Sequence, residues 1–133
     1  MANVYRHRPF ANDLLLGRVD VDGKVYRTQI GPDEYVGRVH IETGKIYESR
    51  LGPDKHIGRV ELDTGKIFRS KFGPDEYLAR VDRDGHFHRH KPLASDPYVG
   101  CIETMYSFAH AGAAFLLLLW PILEAHEADE EKG

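Results

Sequence analysis

Apolar and polar residues alternate along most of the chain, as in Arg18-Val19-Asp20-Val21 and Lys24-Val25-Tyr26-Arg27, and a period of two is that of a half-buried β-strand. Asp22-Gly23 separates these two runs, so the pattern predicts a β-hairpin closed by a two-residue turn. That register places Val19, Val21, Tyr26 and Ile30 on one apolar face and Arg18, Asp20 and Arg27 on the other. The unit recurs as Leu16–Tyr35, Val36–His56, Ile57–Tyr77 and Leu78–Tyr98, a period of 20 or 21 residues. Such a period marks stacked supersecondary units that bury a shared surface against their neighbours. In the second and third copies the turn reads Glu42-Thr43-Gly44 and Asp63-Thr64-Gly65, so the extra residue is absorbed at the turn and glycine is expected to take a left-handed conformation.

Gly31-Pro32-Asp33 recurs as Gly52-Pro53-Asp54 and Gly73-Pro74-Asp75, which predicts tight turns between successive hairpins. The chain starts on a second-strand half, Val4-Tyr5-Arg6, and resumes a first-strand half at Val99-Gly100-Cys101-Ile102. Pairing of these halves would close the sheet with ten short strands, while an open meander would leave its ends blunted by the proline-containing segments. The expected fold is therefore all-β: an antiparallel meander of about four hairpin repeats over residues 1–103, as an open sheet or a closed barrel, followed by one apolar α-helix.

That helix is expected over residues 104–124. Met105–Leu123 contains no Asp, Glu, Lys or Arg, and Ala113–Trp120 has no polar stripe. A helix apolar all round belongs in a core or in lipid, and its nineteen residues span roughly 28 Å, close to the hydrocarbon thickness of a bilayer. The leading expectation is a single transmembrane span. The alternatives are a helix that covers the apolar face of the sheet or plugs a closed barrel, and a peripheral partner-binding helix. Arg83, Arg89 and Lys91 precede the segment and Lys132 follows it, which puts the repeats on the cytoplasmic side of a membrane, with a cytoplasmic soluble protein as the alternative. Residues 125–133 form an acidic tail.

Charge narrows the function classes. Residues 1–103 carry 17 Lys/Arg against 16 Asp/Glu, and residues 104–133 carry one against five. A balanced body without a basic stripe argues against nucleic-acid binding. The N-terminus lacks the basic-then-apolar pattern of a cleaved signal. One cysteine, Cys101, excludes an internal disulfide framework and reads as a small packing residue. No nucleophile signature or phosphate-binding loop surrounds it or Ser107, so no enzymatic activity is expected.

Two sets of histidines carry candidate chemistry. His86, His88 and His90 alternate along one strand and so share a face, where two of them can grip a zinc ion if a third ligand arrives from elsewhere. His110 lies in the apolar helix, where an imidazole needs a partner, either a hydrogen bond or the metal of a porphyrin-type ligand. The run Ala109-His110 followed by leucines and Trp120 resembles, over less than a fifth of the chain, the helix of bacterial light-harvesting polypeptides. That resemblance implies a porphyrin-type ligand on His110. The functional expectation is a non-catalytic accessory or scaffold subunit, its repeats cytoplasmic and its helix docked among other protein subunits of a membrane complex. A soluble binding module with the helix packed on its own sheet is the alternative, and a metal- or porphyrin-binding protein is a third.

Overall fold

The computed structural model describes residues 2–132. Ten strands follow one another: β1 (Ala2–Arg6), β2 (Leu14–Val19), β3 (Lys24–Arg27), β4 (Glu34–His40), β5 (Lys45–Glu48), β6 (Lys55–Val60), β7 (Lys66–Arg69), β8 (Glu76–Val81), β9 (His86–Arg89) and β10 (Tyr98–Ile102). Each pairs antiparallel with its neighbours in sequence, and β1 pairs with β10 through Val4↔Ile102 and Tyr5↔Cys101, closing a barrel. The half-units at the two chain ends thus complete a fifth repeat, and the barrel has no edge strand to shield.

Hairpin register differs from expectation by one residue, with large effect. Val19 pairs with Val25 and Arg18 with Tyr26, and Asp20 N–H donates to the Lys24 carbonyl, so the loop is Val21-Asp22-Gly23 rather than Asp22-Gly23 alone. In the second hairpin His40 pairs with Lys45 across Ile41–Gly44, again one residue longer than predicted. The slip leaves the faces of the first strand as expected, turns over those of the second strand and moves Val21 into the loop. Val19 and Val25 point inward and are fully buried, while Val21 and Ile30 are exposed and Tyr26 lies on the outer wall. The glycine expectation holds, with φ of 91° at Gly23, 79° at Gly44 and 78° at Gly65.

Helix α1 (Phe108–Ala114) starts on the Ser107 cap, continues through a π-helical turn, Phe115–Leu119, and runs on as α2 (Trp120–Lys132). By length and composition the span Phe108–Glu130 is apolar enough to cross a membrane. Here Ala109–Trp120 are all buried inside the barrel. Residues 125–132, expected as a separate tail, extend the helix beyond the barrel mouth. The enclosure has a geometric reason: barrel diameter grows with strand number, and about eight strands already suffice for wall side chains to fill the interior. Ten strands lined with Val, Ile, Ala and Gly leave a lumen that wall residues alone do not fill.

Wall and helix match layer by layer. The recurring Gly-Arg-Val, with Ala79-Arg80-Val81 in the fourth copy, places Val19, Val39, Val60 and Val81 around the Ala- and Gly-rich α1, and a methyl group on Gly112 would sit 2.6 Å from a Val60 methyl carbon. One step along, the wall glycines meet the leucines. A methyl group on Gly58 would lie 2.5 Å from Leu116, on Gly37 2.9 Å from Leu117, on Gly17 3.1 Å from Leu118 and on Gly100 3.1 Å from Leu119. Phe115 meets Phe87 of the fourth hairpin at 5.6 Å between ring centroids. Five consecutive helix residues therefore face five consecutive repeats in order round the barrel. An α-helix turns about 100° per residue, whereas five repeats divide the circle into about 72°. A π-turn, with its wider i→i+5 ladder closed by the Trp120 N–H on the Phe115 carbonyl, turns less per residue and tracks the repeats more closely.

At the exit, Pro121 supplies no N–H to the Leu117 carbonyl four residues earlier, and the Arg27 guanidinium donates to that oxygen at 3.4 Å. Trp120 lies between Arg69 and Arg89, whose guanidinium carbons stand 5.2 and 4.9 Å from its ring centroid. Arg69 also pairs with Glu76 and Glu124, and Arg89 with Glu127, so cations of the wall hold carboxylates of α2.

Candidate functional site

The hairpin turns form one rim of the barrel and the inter-hairpin loops the other, the rim from which α2 emerges. Each rim carries groups of interest. At the turn rim the fourth hairpin, Val81-Asp82-Arg83-Asp84-Gly85-His86-Phe87-His88, differs from its counterparts in carrying two imidazoles beside two carboxylates. Asp82 Oδ1 accepts the backbone N–H groups of Asp84 at 3.0 Å and His86 at 3.1 Å, which fixes the carboxylate plane. Oδ2 is thereby aimed at the strand face, 3.7 Å from His86 Nδ1 and 3.8 Å from His88 Nε2. Neither separation is a hydrogen bond. Ligand atoms of Asp82, Asp84 and His86 all lie within 4.8 Å of one another.

His90 does not join them. Its ring stacks on Tyr77 at 4.3 Å and its Nδ1 lies 3.5 Å from Asp96. Asp96 also accepts the Lys91 backbone N–H, which holds its carboxyl below the ordinary range. The strand alternation therefore leads to His86 and His88, and it misses Asp82 and Asp84. The signal for these two was the acidic turn directly before the strand, whose carboxylates meet the histidines only once the hairpin register is known.

Tyr98 packs edge-on against His86, at 5.4 Å between ring centroids, and tilted against His88, at 5.9 Å. Its phenol is pushed up to about 12, first by burial and then by a hydrogen bond with Cys101. Burial also raises the Cys101 thiol, which disfavours the thiolate that nucleophilic chemistry needs.

His110 sits where the helix enters the barrel. Its Nε2 lies 2.8 Å from the Val21 carbonyl, an acceptor only, so that nitrogen is the donor. Its Nδ1 lies 2.7 Å from the Ser107 hydroxyl, which also accepts the His110 backbone N–H. Both ring nitrogens thus have protein partners, and in this arrangement neither is turned toward a space for a porphyrin-type ligand. Its role here is to join the helix start to the first hairpin turn.

The repeated Gly-Pro-Asp carboxylates are engaged within the protein. Arg18 pairs with Asp33, Arg38 with Asp54 at 3.0 Å and Arg59 with Asp75 at 3.0 Å. The same arginines lie over Tyr26, Tyr47 and Phe68 at 4.2, 4.3 and 4.1 Å, giving an Arg-aromatic-Asp stack on each outer wall.

The loop rim carries a feature that the period-two pattern does not reveal. Phe10, Ile30, Leu51, Phe72 and Leu93 occupy equivalent places, one in each of the five inter-hairpin loops, and each is fully exposed at 104–110%. Phe10 and Leu93 moreover hold φ of 64°, a left-handed conformation that bulky residues rarely adopt. Two hollows open near this rim. One of about 280 Å³ is lined by Arg27, Glu34, Tyr35, Glu48, Leu117 and Pro121, and one of about 340 Å³ by Arg69, Glu76, Arg89, Trp120, Glu124 and Glu127. In both the polar side chains are largely committed to one another or to the helix.

Comparisons of the chain with models of protein families, with curated proteins and with solved structures return no match.

Proposed function

We propose that the chain is a non-catalytic protein-binding module whose docking surface is the loop rim. The observation that carries this reading is the set of five apolar side chains at the loop tips, one per repeat and all in water. Scattered exposed apolar residues are ordinary, but fivefold recurrence at one rim, with two members in a strained conformation, is a pattern that core packing does not require. The tips ring the outgoing α2, whose Asp129 and Glu130 are exposed. A protein partner with apolar sockets bordering a basic patch complements that arrangement. The helix, packed within its own barrel, serves in this reading as the core.

The test replaces Phe10, Ile30, Leu51, Phe72 and Leu93 together by serine and compares affinity capture with the unaltered chain and with a turn-rim control, Val21→Ser, Ile41→Ser and Leu62→Ser. A partner retained by the control and lost by the five-tip variant supports the reading. Identical capture by all three overturns it.

The second reading is the accessory subunit anchored by its helix in a membrane complex, with repeats on the cytoplasmic side, and the length and hydropathy of Phe108–Glu130 favour it. It requires the helix to leave the barrel and exchange the wall valines and glycines for lipid, emptying the lumen that it now fills. Flotation of the full chain with vesicles, abolished by Leu117→Arg and unaffected by the five-tip substitution, would select it.

A further inference from the structure

We infer that the fourth hairpin turn is a transition-metal site, with Asp82, Asp84 and His86 as the preassembled ligands and His88, which approaches Asp82, as a fourth, suited to zinc. This goes beyond the docking role and is independent of it. Three observations converge. First, Asp82 is oriented by its own backbone contacts, so Oδ2 faces both imidazoles without hydrogen-bonding either. Tetrahedral zinc with bonds of about 2.0–2.1 Å sets its ligand atoms about 3.3 Å apart, so the 3.7 and 3.8 Å from Asp82 to the two imidazoles and the spread of Asp82, Asp84 and His86 within 4.8 Å close by side-chain rotation, His88 turning furthest to join them.

Second, the other repeats show what the same turn does without metal chemistry. In the first hairpin the sequence is Asp20-Val21-Asp22-Gly23-Lys24-Val25-Tyr26, with the same backbone hydrogen bonds, Asp20 N–H to Lys24 and Gly23 N–H to Asp20. There an ammonium and a phenol stand where His86 and His88 stand, and Asp20 accepts from Arg18 at 3.2 Å. In the fourth hairpin Arg80 lies 3.8 Å from Asp96, and Asp82 forms no ion pair with it. The carboxylate pair is thus common turn chemistry, while the two imidazoles and the release of Asp82 from its strand arginine belong to this repeat alone among the two.

Third, the imidazoles are held from behind. Tyr98 packs against both rings, so an aromatic wall backs the imidazoles on the side away from Asp82. Mixed imidazole and carboxylate donors suit zinc and its first-row neighbours better than magnesium or calcium, which take oxygen ligands.

The experiment is calorimetric titration of Zn²⁺ into the full chain without a histidine tag, with Mg²⁺ as the control ion. One zinc per chain and no heat from magnesium are expected. His88→Ala and Asp82→Asn should each weaken zinc binding at least tenfold, since asparagine keeps the Oδ1 acceptor that shapes the turn while replacing Oδ2. His90→Ala should leave affinity unchanged. Long-range ¹H–¹⁵N spectra should report coordination through Nδ1 of His86 and Nε2 of His88. Thermal melting of the metal-free variants checks that each is folded. Substoichiometric binding, equal affinity in the folded Asp82→Asn and His88→Ala variants, or loss of binding on His90→Ala would each overturn the site.

Discussion

Arg89 holds Glu127 in a fork, its Nε at 2.9 Å and Nη2 at 3.1 Å from the two carboxylate oxygens, while its Nη1 donates to the carbonyls of Leu78 at 2.8 Å and His90 at 2.7 Å. Arg89 is 9% exposed. One guanidinium therefore ties β8, the start of the loop after β9 and the outgoing helix into a single unit.

The fork makes stability depend on acid. Its hydrogen bond from Arg89 holds the Glu127 carboxyl below the ordinary value of 4.5. For Glu76 burial acts the other way, but the hydrogen bond and charge of Arg69 outweigh it and the carboxyl again lies low. Groups with depressed folded values contribute stability that is present above their unfolded value and lost as pH falls through the folded one. Melting temperature should therefore drop below about pH 4.5. Glu127→Gln should cost roughly 1–3 kcal/mol at neutral pH and flatten that acid limb.

Leu117→Arg tests the enclosure of the helix. Leu117 is buried against Gly37, so an arginine there must give up that close contact and turn its guanidinium toward the hollow that Glu34 and Glu48 line. Urea denaturation should show a loss on the order of 4 kcal/mol or more, with unfolded chain at neutral pH as the limiting outcome. An unchanged midpoint would mean that this face of the helix is not packed on the barrel.

The turns give a paired comparison. Gly44 has φ of 79° and a side chain there would strike the Val60 carbonyl, whereas Thr43 is exposed and its hydroxyl accepts the Lys45 N–H at 3.3 Å. Gly44→Val should lower the melting temperature far more than Thr43→Val. Equal shifts would contradict the loop conformation.

Phe10→Gly and Leu93→Gly should raise stability by about 0.5–1 kcal/mol each, because relief of the left-handed strain exceeds the entropy cost of glycine and no side-chain packing is lost. Calorimetric melting measures the gain. Coupled with loss of partner capture, it would separate what these side chains do for binding from what they cost the fold.

The repeat, its period, the antiparallel hairpins, the left-handed glycine at each turn and the apolar helix are all written locally, in alternation, in turn residues and in twenty-residue self-similarity, and they are legible from the chain alone. The pairing of Val4-Tyr5-Arg6 with the strand at Gly100 to Ile102 was also foreseeable as one of two ways to satisfy the end strands. Only the tertiary structure chose closure, and with it the use of the helix. A ten-stranded barrel creates a lumen, and a lumen walled by glycine at Gly17, Gly37, Gly58 and Gly100 admits four consecutive leucines, so the same apolar circumference that matches lipid also matches this interior. Hairpin register depended on one residue of loop length, which composition does not determine, and that residue moved Val21 and Tyr26 from the expected core to the outside. The candidate site divided along the same line. The alternation of His86 and His88 is a strand-period signal, but the convergence of Asp82 on both and the departure of His90 to Tyr77 follow from side-chain placement across the hairpin and the neighbouring strand, a relation between residues that periodicity along one strand does not encode.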